Sequence, residues 1–189
     1  MCKKIILASA SPRRRELLSM IFPDFEVIPS NVEEIIPEDI DIHSAPEYLS
    51  KIKALDIAKA YPEALVIGAD TSVIIDNKIL GKPKNKAEAY DMIKSLSGNE
   101  HFVITGCTII YGQNIVSFSE KTSVFFNDLS EQEISDYINT DEPYDKAGGY
   151  GIQGKGALLV KKIDGDYFNV VGLPVSKLNI TIKGILSAI

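Results

Sequence analysis

The sequence predicts an α/β fold: a mixed, twisted sheet with flanking helices. Three observations carry this. Apolar runs of strand length alternate with capped, helix-length segments in the first half of the chain. Turn residues join consecutive β-rich runs in the second half, which rules out a purely parallel, doubly wound sheet. The composition, 45% apolar and 24% charged over 189 residues, is that of a globular chain able to bury a sizeable core.

The elements follow in order. Residues 4–8 are an apolar run and form a buried strand. Ser11-Pro12 opens a helix, with Ser11 as N-cap and Pro12 at the first helical position, running to Phe22 before Pro23. Residues 25–29 alternate as a strand, and Asn31 to Asp41 is an acidic loop. Ser44-Ala45-Pro46-Glu47 has capping-box spacing and starts a helix that ends before Pro62. Residues 64–75 form an apolar strand closed by a turn at Asp76-Asn77. Asn85 caps a helix that stops at Ser97-Gly98. Residues 101–111 and 115–126 form a hairpin about Gly112-Gln113-Asn114, and Ser130-x-x-Glu133 is a second capping box. The five glycines between 145 and 156 mark a loop or strand edge, and the alternation of Tyr150 and Ile152 resembles a strand. Asp164-Gly165 reads as a hairpin turn between 157–163 and 167–171, and Pro174 opens the last helix. With no internal repeat or linker, residues 1–189 read as a single domain, with two lobes around a cleft and no assigned boundary.

Charge limits the partners. Twenty basic against 26 acidic side chains leave a formal charge of −6, a poor basis for coating nucleic acid. A local basic cluster can still hold a small polyanion within an acidic whole. Two cysteines, Cys2 and Cys107, make no disulfide framework and suit a reducing, cytoplasmic setting. Cys2 falls in a frayed terminus, and Cys107 in a strand reads as core. No apolar run reaches the roughly 20 residues of a membrane span, and the Lys3-to-Ala8 stretch is too short for a signal peptide.

Four segments carry chemistry. In Ser9-Ala10-Ser11-Pro12-Arg13-Arg14-Arg15 three arginines occupy a first helical turn, where the helix dipole favours acidic side chains. An anion at that terminus resolves the mismatch, and arginine meets phosphate oxygens bidentately; a solvated basic face is the other reading. In Gly68-Ala69-Asp70-Thr71 a carboxylate interrupts a buried run, so Asp70 is ion-paired, metal-bound or catalytic. Leu80-Gly81-Lys82-Pro83 presents Lys82 from a stiff segment but lacks the spacing of a Walker A loop. In the glycine-dense segment, Gln153 offers an amide donor and acceptor suited to a base edge. Glu33-Glu34 adds two carboxylates of the kind that share a hard divalent cation with phosphate oxygens, or else a solvated acidic loop. Lys53 faces either a cleft or solvent. His43 and His101 have no ligand spacing.

Together Leu7-Ala8-Ser9-x-Ser11-Pro12-Arg13-Arg14-x-Glu16-Leu17-Leu18, Val32-Glu33-Glu34, Lys53-Ala54, Gly68-Ala69-Asp70-Thr71, Leu80-Gly81-Lys82-Pro83 and Leu96-Ser97-Gly98 resemble the Maf family of nucleotide pyrophosphatases. The segment from Asp145 to Gly154 resembles the branch acting on dTTP and UTP, with Gly149 where Ala or Ser is expected. The resemblance implies hydrolysis of a nucleoside triphosphate to monophosphate and diphosphate, limiting non-standard or excess nucleotides. It implies a divalent metal cation (Mg²⁺ or Mn²⁺), a cytoplasmic homodimer, and a two-lobed fold similar to inosine triphosphate pyrophosphatases. By motif, Asp70 matches the proton acceptor and Glu34 a functional carboxylate, both also as metal ligands. Ser9, Arg13, Arg14, Lys53 and Lys82 match groups around the phosphates; Arg13, Thr71 and Gln153 match positions of substrate choice. Members are also associated with arrest of septum formation, so a nucleotide-binding regulator without turnover is the alternative.

Overall fold

A computed structural model describes residues 4–187; the expectation for Cys2 lies outside them. Seven strands, β1 (Ile5–Leu7), β2 (Glu26–Val27), β3 (Leu65–Ile75), β4 (Lys78–Leu80), β5 (Glu100–Tyr111), β6 (Asn114–Phe126) and β7 (Val160–Asp164), form a mixed sheet. The strand order is β2-β1-β3-β5-β6-β7, with β4 paired on β3. Six helices accompany it: α1 (Pro12–Ser19), α2 (Ala45–Ala60), α3 (Lys86–Leu96), α4 (Glu131–Ile138), α5 (Tyr167–Val171) and α6 (Val175–Ser187). The chain divides into two compact units, and β3, β5 and β6 each contribute residues to both.

The first unit contains the chain up to Asp70, Thr105–Glu120 and the segment from Gly172 onward. Here β1 runs parallel to both β2 and β3, with Leu7 opposite Val27 and Ile67. Ile6, Val66 and Ile110 of the strands bury against Ala54 and Ile57 of α2. Two glycines decide how close α2 comes. A Cβ at Gly68 would lie 2.3 Å from the Ser50 carbonyl oxygen and 2.9 Å from the Ala54 Cβ. A Cβ at Gly106 would lie 2.3 Å from the Glu47 backbone nitrogen. No residue but glycine fits at either position, so α2 packs on bare strand backbone. The Ser50 and Thr108 hydroxyls, 2.8 Å apart, satisfy each other within this contact.

The second unit contains Thr71–Ile104 and Lys121–Val171. Its β3–β4 hairpin turns through Asp76 and Asn77, at φ 48° and 57°, a conformation these short polar side chains tolerate. Ile93 and Leu96 of α3 and Ile134 and Tyr137 of α4 pack with Val124 and Phe126 in its core. Asn85 caps α3, accepting from the Glu88 N–H at 3.0 Å, and Ser130 with Glu133 completes the expected capping box of α4. His101 is buried against Phe126 and Tyr150, its Nε2 2.7 Å from the tyrosine hydroxyl. Burial pushes its pKa down to about 4, so it stays neutral.

The mixed α/β architecture agrees with the sequence; four local expectations are corrected and one short strand, β4, is added. Helix α1 ends at Ser19 rather than Phe22, because Met20 and Ile21 donate to the Leu17 and Leu18 carbonyls and tighten the last turn. Ser44 makes no capping bond; it is already helical, and Asp41 Oδ1 caps the preceding turn by accepting from the His43 N–H. Strand β4 was not foreseen. The glycine-rich segment forms three short 3-10 turns, Pro143–Asp145, Ala147–Gly149 and Gly154–Leu158, with no strand. Residues 167–171 are helical rather than the second arm of a hairpin. Asp166 accepts from the Phe168 N–H at 2.8 Å, and buried Asn169 donates to the Val103 carbonyl and the Thr122 hydroxyl. Those anchors outweigh the β propensity of Tyr167-Phe168-Asn169-Val170-Val171.

Gly68→Ala therefore forces α2 off the strand. We expect a loss of about 1–3 kcal/mol, at about 2–4 °C of melting temperature per kcal/mol. Gly81→Ala, at a glycine whose Cβ would meet nothing within 4 Å, serves as the silent control in the same calorimetric scan.

Candidate active site

The first limb of the site grows from the end of β1. Ser11, extended at φ −66° and ψ 120°, caps α1 by accepting from the Arg14 N–H at 3.4 Å. Ser9 is buried, and its hydroxyl oxygen accepts from the Ser11 N–H at 3.3 Å and from Arg14 Nη1 at 3.1 Å. Arg14 Nε donates to the Gly172 carbonyl at 2.9 Å. The side chain thus spans the unit from the β1–α1 loop to the start of the C-terminal segment. Burial pulls its pKa down from the ordinary value, and the charge of Asp70, with a smaller share from Glu34, pushes it back. Arg13 is half-buried beside it, while Arg15 is exposed. The first turn of α1 carries no acidic side chain, so the positive helix end adds to two guanidinium groups instead of being cancelled.

The second limb is an ion triad. Lys53, on α2, points its ammonium at Asp70 Oδ1, 2.6 Å away, and at Glu34 Oε1, 2.9 Å away. The Lys53 and Asp70 side chains are each only 12% exposed, whereas Glu34 is 53% exposed. Gly68 and Asp70 alternate along β3 and so share its α2-facing side. The close approach that Gly68 permits is what lets Lys53 reach the carboxylate. Sequence left open whether Lys53 faces solvent; it faces the acids. Of the readings open for Asp70, ion pairing is realised, with Oδ2 not engaged by Lys53. Cys107 is fully buried and burial pushes its thiol up to about 12, so it is core and not a nucleophile.

Thr71, Lys82 and Gln153 belong to the second unit. Thr71 is half-buried in β3 directly after Asp70. Lys82 is exposed between β4 and α3, next to buried Pro83, and the Gly148 N–H donates to the Gly81 carbonyl at 2.9 Å. Gln153 is exposed just before the last 3-10 turn. Sequence reasoning missed what shapes that turn. Glu142 places its carboxylate against the N–H groups of Lys155, at 2.9 Å, and Gly156, at 3.2 Å. Gly154, at φ +67°, lies so close that a Cβ there would be 2.7 Å from Glu142 Oε1. An acid six residues before a run of glycines was the only signal.

A family model described as Maf-like protein matches residues 4–185. A dTTP/UTP pyrophosphatase of Thermosipho africanus is 56% identical over 174 residues, covering 92% of this chain and 89% of that protein. A dTTP/UTP pyrophosphatase of Pyrococcus furiosus is 53% identical over 173 residues, covering 92% and 90%. Among solved structures, the Staphylococcus aureus Ham1 protein aligns with a TM-score of 0.61 at 17% identity, covering 96% of this chain and 99% of that one. A HAM1 protein from Coxiella burnetii aligns at 0.58 and 15% identity, covering 96% and 98%. At such identities these two structures show a shared fold. No helix among the described residues is long and apolar enough to cross a membrane.

Lys53→Met strands a nearly buried Asp70 beside Glu34. We expect a stability loss of order 3 kcal/mol near neutral pH, as for removal of one partner of a buried pair. Chemical denaturation of both proteins at pH 7 measures it.

Proposed function

This chain belongs to the Maf-like protein family, and we propose that it hydrolyses dTTP and UTP to the nucleoside monophosphate and diphosphate with the help of a divalent cation. The observation that carries the reading is one ammonium held between two carboxylates, Asp70 and Glu34, in the unit that also holds Ser9, Arg13 and Arg14. The names of the relatives support the same reaction and the same pair of substrates.

The chemistry asks for positioning and charge balance. A triphosphate brings about four negative charges. Arg13, Arg14 and Lys53, and by family motif Lys82, offset them, with arginine forks suited to phosphate oxygens. Asp70 accepts a proton from water as the water oxygen bonds to the α-phosphorus. The bond from the α-phosphorus to the bridging oxygen breaks, and diphosphate leaves with its electron pair. Lys53 holds Asp70 by Oδ1, which keeps Oδ2 in place for that water.

The donor set fits a hard divalent cation. Asp70 and Glu34 meet at the Lys53 ammonium, and the second oxygen of Glu34, beside the water-facing Oδ2 of Asp70, would hold the ion. Mg²⁺ and Mn²⁺ are commonly held by one or two carboxylates and completed by substrate phosphates. When bound, the ion supplies charge stabilisation on the phosphate oxygens.

For Gln153 we propose recognition of the base. Uracil and thymine present the same carbonyl and N–H edge, which one amide satisfies, whereas cytosine exchanges donor and acceptor. Thr71 and Arg13 join it as positions of substrate choice on the family motif.

Purified protein with Mg²⁺ or Mn²⁺ should release diphosphate and monophosphate from dTTP and UTP, and Asp70→Asn should lower turnover by about 10²–10⁴-fold while remaining folded by circular dichroism. Near-normal turnover in that variant contradicts the assignment. Nucleotide binding without diphosphate release favours the regulatory reading. Gln153→Ala should narrow the preference for UTP over CTP; an unchanged ratio of kcat/KM removes the role.

A further inference from the structure

Glu34 lies in a segment, 28–37, without regular secondary structure, and its carboxylate is half in solvent. An ion pair with Lys53 whose acid is half in solvent is too weak to order such a segment alone. The structure supplies a second tether. Asp56 Oδ2 accepts from the Ser30 hydroxyl at 2.7 Å and from the Asn31 N–H at 3.3 Å. The Ser30 oxygen in turn accepts from the Val32 N–H at 3.1 Å. Asp56 stands three residues after Lys53 on α2, and positions i and i+3 share a helix side. One flank of α2 therefore presents a cation to Glu34 and an anion to the backbone three residues before it.

We propose that Asp56 is a positioning residue for Glu34. Its carboxylate fixes the 30–32 turn so that Glu34 arrives at Lys53 and Asp70 already placed. Ser30 is the relay: its hydroxyl donates a hydrogen bond to Asp56 and accepts one from the Val32 N–H, so the turn holds its shape from both sides. The carboxylate contributes through its acceptor oxygen, and an amide oxygen at the same place serves as well. The proposal rests on the reading that Glu34 takes part in hydrolysis.

The test is a double-mutant cycle on the full-length protein, with dTTP turnover and amide hydrogen exchange as readouts. Asp56→Ala should lower kcat/KM about tenfold, the scale for losing a partner that orients a functional side chain. It should also speed exchange at Asn31 and Val32 while the melting transition stays cooperative. Asp56→Asn should retain most of the activity and the protection. In a Glu34→Gln background Asp56→Ala should cost nothing further, because its effect passes through Glu34. Additive losses, or exchange at Asn31 and Val32 that Asp56→Ala leaves unchanged, overturn the proposal. Wild-type turnover in Glu34→Gln alone overturns instead the reading of Glu34 on which it stands.

Discussion

The contact between α2 and bare strand backbone is the constraint on which the first unit depends. Gly68 and Gly106 remove the two side chains that would hold the helix away from β3 and β5. Only at that separation does a lysine on the helix meet an aspartate on the strand with most of its stem and charge withdrawn from water. Burial of such a pair is not a cheap source of stability, since desolvation offsets much of the attraction. Its value is definition: the carboxylate is fixed by one oxygen, and a second acid, Glu34, is drawn to the same ammonium.

Only the immediate surroundings of the triad run against the charge of the whole chain. The formal total is −6, yet Arg13, Arg14 and Lys53 outnumber Asp70 and Glu34 around the triad. The guanidinium of Arg14 is partly desolvated, donates to the Ser9 hydroxyl and the Gly172 carbonyl, and feels the charges of Asp70 and Glu34. A cation fixed in this way suits a polyanionic ligand that arrives and leaves. The helix end at Ser11 adds to the positive field of Arg13 and Arg14, since the first turn of α1 carries no acidic side chain.

Sequence revealed the parts whose physics is local. Ser11-Pro12, Asn85 and Ser130-x-x-Glu133 state their caps within four residues, and all three act as caps. Asp70 declared itself because a charge inside an apolar strand needs a partner. It did not name Lys53, which lies 17 residues earlier and meets it only through tertiary packing. Asp56 and Glu142 were illegible for the same reason, since each binds backbone groups 25 and 13 residues away. The segment 167–171 misled because its composition favours a strand, whereas Asp166 and Asn169 draw it into a helix through partners on β5 and β6. Ser44-x-x-Glu47 has capping spacing but not the backbone conformation that a cap requires. Motif order across the chain carried the family, while the roles of Lys82, Thr71 and Gln153 rest on motif alone.

The central claim is that the Lys53, Asp70 and Glu34 triad, with Ser9 and the arginines beside it, is where phosphate chemistry takes place. The most direct measurement is a crystal structure with a non-hydrolysable α,β-imido analogue of dTTP and Mg²⁺. The account predicts phosphate oxygens on Ser9, Arg13 and Arg14 and the α-phosphorus facing Asp70. A triphosphate bound elsewhere, with the triad untouched, would contradict it.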